Sequence, residues 1–137
     1  MLLGFAAWTV LLLTATVGVY RWSRILTGRA EVRHFRADQV EGEDWYKRAM
    51  RAHANCVENL PVFGAIVFAL HVGNVASNLV NILAITILIA RVMQSLVHVC
   101  FTQTNTMASI RFGFFFVQMV GFLWLIGMIV TKLSGRA

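Results

Sequence analysis

The sequence predicts an all-α integral membrane protein, a bundle of four spanning helices in a single domain over residues 1–137. Three observations carry this reading. Hydrophobic residues make up 58% of the 137 and charged residues only 13%, against roughly 25% charged in a soluble domain. Mean hydropathy is +0.71. Four stretches each offer the run of about 20 mostly apolar residues that a helix needs to cross the hydrocarbon. A transmembrane barrel would instead show short segments of alternating polarity, and none is apparent.

The first helix is expected over about residues 1–20, "MLLGFAAWTVLLLTATVGVY". No basic residue precedes its long apolar run, and no small-residue cleavage site follows before Tyr20-Arg21, so it reads as a retained helix rather than a signal peptide. A loop follows with Arg21, Arg24, Arg29, Arg33 and Arg36. The second helix is expected over about 45–72, polar early and apolar late. The loop "GNVAS" has no basic residue. The third helix is expected over about 77–99 with one full charge, Arg91. The fourth is expected over about 111–131, "RFGFFFVQMVGFLWLIGMIVT", opening on Arg111 after the polar connection "TQTNTMAS". No internal repeat or low-complexity tract is apparent.

The basic first loop predicts topology. The positive-inside rule places it in the cytoplasm, with both termini on the far side; Lys132 and Arg136 weigh against this. The same loop carries Glu31, Asp38, Glu41, Glu43 and Asp44, a composition that does not suit a nucleic-acid surface. The net charge of +6 fits membrane orientation plus an internal site.

The start of the second helix, "RAMRAHANCVENLP" (48–61), is too polar for a plain membrane span. With 100° between successive residues, Arg48, Arg51, Asn55 and Glu58 fall within about 80° of one another, while His53 lies on the other side. Intramembrane charge belongs against a bundle interior or a wet cavity, paired with other groups or with a ligand. Two plainer readings stand beside this one. Arg48 can simply extend its charge to the interface, and the stripe can be a structural polar network between helices. Pro61 frees the carbonyl of Val57 and predicts a kink beyond Glu58.

Arg91, Gln94 and His98 form a second stripe, within about 60° on one face of the third helix. Arg111 is either an interfacial anchor or part of the same site. Together Arg48, Arg51, Arg91 and Arg111 outnumber Glu58, which favours an anion bearing carboxylates, because guanidinium meets carboxylate in a two-pronged geometry. Glu58 and Asn55 suit ammonium and amide groups. The set fits a zwitterionic peptide with excess negative charge, and the apolar helix faces suit lipid-soluble partners. Cys56 and Cys100 have no CxxC or metal-ligand spacing. They read as small core residues, joined by a disulfide only if their helices bring them together.

At these residues the chain resembles the MAPEG family, membrane-associated proteins in eicosanoid and glutathione metabolism, and within it bacterial-type members like the microsomal glutathione transferases. The resemblance covers nearly the whole chain and is carried by the run R-x-x-R-A-H-x-N-x-x-E-x-x-P from Arg48 to Pro61. The stretch from Ala90 to His98 is similar to the family's third-helix motif more loosely. The resemblance implies a homotrimer with sites between neighbouring subunits, and glutathione as co-substrate with no metal. It implies that Arg51, Asn55 and Glu58 hold glutathione, with Arg48, Arg91, Gln94 and His98 in the polar network around it. It implies that Arg24, or alternatively Arg21, reaches the glycyl carboxylate. Arg111 is similar to the fourth-helix arginine that faces the thiol in catalytic members. Two departures are visible. The family's third-helix stripe usually carries His or Tyr at the third place and Tyr at the seventh, where this chain has Gln94 and His98. The segment from Arg91 to Arg111 is also about one helical turn longer.

The implied activity is that of a membrane-embedded glutathione transferase or peroxidase acting on lipophilic electrophiles or hydroperoxides, in a bacterial cell at the inner membrane. Some family members bind lipid without catalysis, which is the alternative expectation. A small proton or ion pathway through Arg91, Glu58 and His98 is a third, disfavoured by the apolar run "FGAIVFAL" that follows.

Overall fold

The computed structural model describes residues 1–36 and 40–135. Asp38 and Arg136, which entered the charge reading above, lie outside the described residues. Helix α1 runs over Leu2–Leu26, α2 over Asp44–Val72, α3 over Asn78–Cys100 and α4 over Asn105–Ser134, each long and apolar enough to cross a membrane. One 3-10 turn, Val32–His34, lies in the loop between α1 and α2. The chain is an all-α, multi-pass membrane protein.

Two helices are longer than their apolar stretches. Helix α1 continues past Tyr20 to Leu26, because aromatic packing supports the extra turns. Tyr20 stacks on Tyr46 with ring centroids 4.1 Å apart, and Trp45 meets Tyr20 edge-on at 5.3 Å. Arg21 Nε donates to Tyr46 Oη at 2.8 Å. Within α1, residues Leu13–Gly18 are π-helical. There Thr14 and Thr16 donate their hydroxyls to the carbonyls of Val10 and Leu12, the competition with backbone bonding that loosens a helix locally.

Helix α4 begins at Asn105, so Arg111 does not open it but sits nearly two turns inside. The N-cap is Thr104, whose Oγ1 accepts from the Met107 N–H at 3.2 Å. Most of the connection "TQTNTMAS" is thereby helical. Ser77 caps α3 the same way, through Val80 N–H at 3.2 Å. Helix α2 runs unbroken through Pro61.

Four alternating helices place the first loop and the α3–α4 connection at one end of the bundle. The α2–α3 loop and both termini lie at the other. The core between the helices is apolar: Phe63 meets Phe5 at 5.5 Å and Phe122 at 6.0 Å, flanked by buried Ile66, Ile87, Leu125 and Ile129. Gly121 lets α4 approach α3 closely, since a Cβ there would stand 2.9 Å from Ile87 Cγ1. Large apolar side chains such as Leu3, Phe68, Ile89, Leu123 and Trp124 point outward, as expected of a surface solvated by lipid tails.

Candidate functional site

The beginning of α2, the end of α3 and the beginning of α4 meet at the loop-bearing end of the bundle. They enclose a cleft of about 390 Å³ lined by Asp44, Lys47, Arg48, Arg51, His98, Thr102, Gln103 and Arg111. The volume falls within the roughly 300–1,000 Å³ usual for a small-molecule pocket. Four cationic side chains face one carboxylate across this cleft, so its potential is strongly positive and selects an anion.

A chain of polar groups crosses three helices beneath it. His98 Nδ1 lies 3.0 Å from Arg111 Nη1. A guanidinium can only donate, so Nδ1 accepts and the ring hydrogen sits on Nε2. Nε2 lies 3.3 Å from Asn55 Nδ2. A half-turn of the Asn55 amide presents its oxygen instead, which converts two facing donors into a proper pair. On the other side Gln94 Nε2 donates to the Arg111 carbonyl at 3.3 Å, and Gln118 Nε2 donates to Gln94 Oε1 at 3.0 Å. Gln118 is 1% exposed. Arg111 is therefore held by its side chain and by its backbone.

The residues singled out from sequence fall into three places. Arg48, Arg51, His98 and Arg111 line the cleft, with Asn55 and Gln94 bonded to its wall. Arg91 lies inside the subunit, 1% exposed, with its guanidinium 5.7 Å from the Phe5 ring of α1. Its Nε and Nη2 have no hydrogen-bond partner among the described residues. Neighbouring Ser95 donates to the Arg91 carbonyl at 2.9 Å and meets Cys56 Sγ at 3.5 Å. Glu58 is exposed on the outer face of α2, with no hydrogen bond or ion pair to a described residue. Arg24 is also outside the cleft, paired with Glu43 at 2.6 Å and stacked over Tyr20 at 4.5 Å. His53 is half-buried and no part of the cleft lining.

Lys47, Thr102, Gln103 and Gln118 were not read from the sequence. Gln118 had a signal: it follows Arg111 by seven residues, within about 20° on the same face. Thr102 and Gln103 lie in a non-helical connection, where no periodicity tells which side chains turn inward. The two cysteines do not meet. Cys56 is buried and Cys100 exposed, both free thiols. Among the described residues no group of three or more His, Cys, Asp or Glu side chains is placed to hold a metal ion.

No curated protein and no solved structure matches the chain. The model of the MAPEG family matches residues 1–131, through all four spanning helices and every residue of the cleft. The four-helix membrane bundle, the arginine-rich start of its second helix and this match agree, and the chain belongs to the MAPEG family.

Proposed function

We propose that the protein is a glutathione-dependent transferase or peroxidase that activates the thiol at the cleft for attack on lipid-soluble electrophiles. The observation that carries this reading is the convergence of Lys47, Arg48, Arg51 and Arg111 on one cleft with a single facing carboxylate, Asp44. Glutathione has two carboxylates, one ammonium and a thiol. Arg48 and Arg51 suit the carboxylates, and Asp44 and Glu58 suit the ammonium. Arg24 can join only by exchanging its exposed ion pair with Glu43 for a ligand carboxylate, an exchange of little cost.

Arg111 then faces the sulfur. A cysteine-type thiol has a free pKa of about 8.5 and is mostly protonated at neutral pH. A guanidinium beside it favours the thiolate, the nucleophilic form. The proton leaves to water at the cleft mouth. The sulfur forms a bond to the electrophilic carbon, and the leaving group departs with its electron pair. With a hydroperoxide, the sulfur attacks oxygen, the O–O bond breaks and the alcohol leaves; a second glutathione thiol then attacks the sulfenic sulfur, forming the disulfide and releasing water. Arg91, inside the bundle, adds positive potential without touching the ligand.

The reading includes a homotrimer. Arg51 and Glu58 are exposed on a membrane-spanning helix of the single chain, and charge facing lipid costs about 2.5–3.5 kcal/mol per group near the bilayer centre. A neighbouring copy against α2 removes that cost and completes the site. The loop-bearing end faces the cytoplasm in this reading, where the glutathione pool lies.

An apolar groove of about 290 Å³ between α3 and α4, lined by Leu83, Thr86, Phe116, Val117, Val120 and Gly121, favours a second reading, a non-catalytic lipid-binding member. Binding of radiolabelled glutathione by the detergent-purified protein, followed by turnover of a generic aromatic electrophile, separates the two. Binding with turnover supports the enzyme. Absence of turnover supports the non-catalytic member, and absence of glutathione binding excludes the enzyme.

A further inference from the structure

We propose that His98 is a positioning residue, which sets the Arg111 guanidinium towards the cleft and does not itself bind the thiol substrate. The inference rests on the reading in which Arg111 faces the sulfur. Both ring nitrogens of His98 are already engaged: Nδ1 with Arg111 Nη1 at 3.0 Å, and Nε2 with the Asn55 amide at 3.3 Å. No polar atom of the ring is left for a ligand, although its edge lines the cleft. Arg111 in contrast has five N–H donors, and the bond to His98 occupies one of its terminal nitrogens. The rest of the fork is free to face the cleft.

The arrangement on the other side has the same effect. Gln118, buried in α4, holds Gln94, and Gln94 holds the Arg111 carbonyl. A long side chain on a helix near the membrane interface would otherwise sample many rotamers. Its backbone is fixed within α4 and tied to α3 through Gln94, and His98 holds one terminal nitrogen of its guanidinium. Asn55 then contributes by fixing the ring that fixes Arg111. Preorganised charge is worth more than mobile charge, since it needs no rearrangement when the thiolate forms.

The test compares His98→Leu, His98→Asn, Arg111→Ala and the His98→Leu/Arg111→Ala double variant in mild detergent. Three quantities are read: glutathione affinity, thiolate ultraviolet absorbance per bound glutathione, and kcat with a generic electrophile. His98→Leu should lose thiolate absorbance and slow kcat by roughly tenfold to a hundredfold, as a small misplacement does, with KM for glutathione moving less than about threefold. His98→Asn, whose Oδ1 takes the place of Nδ1 and can accept from Arg111, should recover most of the signal. In the Arg111→Ala background, His98→Leu should cost less than about twofold more, because a residue acting through another has nothing left to position. Should the leucine variant fail to accumulate as folded protein, His98→Phe, which keeps a ring but offers no acceptor to Arg111, replaces it.

Loss of affinity in His98→Leu with undiminished thiolate per bound glutathione would make His98 a ligand and overturn the inference, leaving the role of Arg111 intact. Full additivity in the double variant would also overturn it. Undiminished thiolate in Arg111→Ala alone would remove the underlying reading, and that result appears in a variant that keeps His98.

Discussion

At the scale of the residue, the angular reading of α2 makes a direct comparison possible. Arg51 lines the cleft and Glu58 shares its face, whereas His53 does not line it. Arg51→Ala and Glu58→Gln are expected to weaken glutathione binding by roughly tenfold or more each, about 1.4 kcal/mol. His53→Ala should leave it within about threefold. Equilibrium binding of labelled glutathione to the three variants checks this, and equal losses would mean that the helix face is assigned wrongly. Gln118 tests the other half of the network. Gln118→Leu removes the donor to Gln94 Oε1 and leaves a buried acceptor unpaired, at a cost of about 1–3 kcal/mol. A lowered midpoint of thermal unfolding in detergent, without loss of the helical signal, is the expected outcome.

At the scale of the element, most of the fold was legible because lipid imposes a simple rule. A span must be long and apolar, and four such runs stand out. The helix ends were less legible, because hydropathy marks where a helix meets the membrane rather than where it stops. Helix α1 extends on the stacking of Tyr20 with Tyr46, a contact between residues 26 apart in sequence. Helix α4 starts early on the cap at Thr104, and that start carries Arg111 inside the helix and into the cleft. The polar stripe of α2 was readable from spacing alone. That Arg91 points towards Phe5 while Gln94 and His98 turn to α4 was not, since all three share one helix face and only packing separates them. The loop before α2 offers a further test. Gly42 has φ 134°, and a Cβ there would stand 2.7 Å from Tyr20 Oη. Gly42→Ala is expected to cost about 1–3 kcal/mol through the strained backbone. It should unseat the loop from Tyr20, read as faster proteolysis between the first two helices.

At the scale of the whole molecule, the single chain places cations on one cleft but leaves Arg51 and Glu58 exposed on α2. In the proposed trimer a neighbouring copy would close that face, so native mass spectrometry in mild detergent is expected to show three chains. An active monomer would contradict a site shared between subunits. The central claim is that the cationic cleft converts a bound thiol into a thiolate through Arg111. The most direct measurement is the thiolate ultraviolet absorbance of the purified protein on adding glutathione, followed against pH beside Arg111→Ala. The wild type should show the signal at neutral pH. In Arg111→Ala the bound thiol loses its nearest positive charge and its pKa rises towards the free value of about 8.5, so the signal should appear only at higher pH. An identical pH profile in the two proteins, or no thiolate signal in the wild type with glutathione bound, would contradict the account.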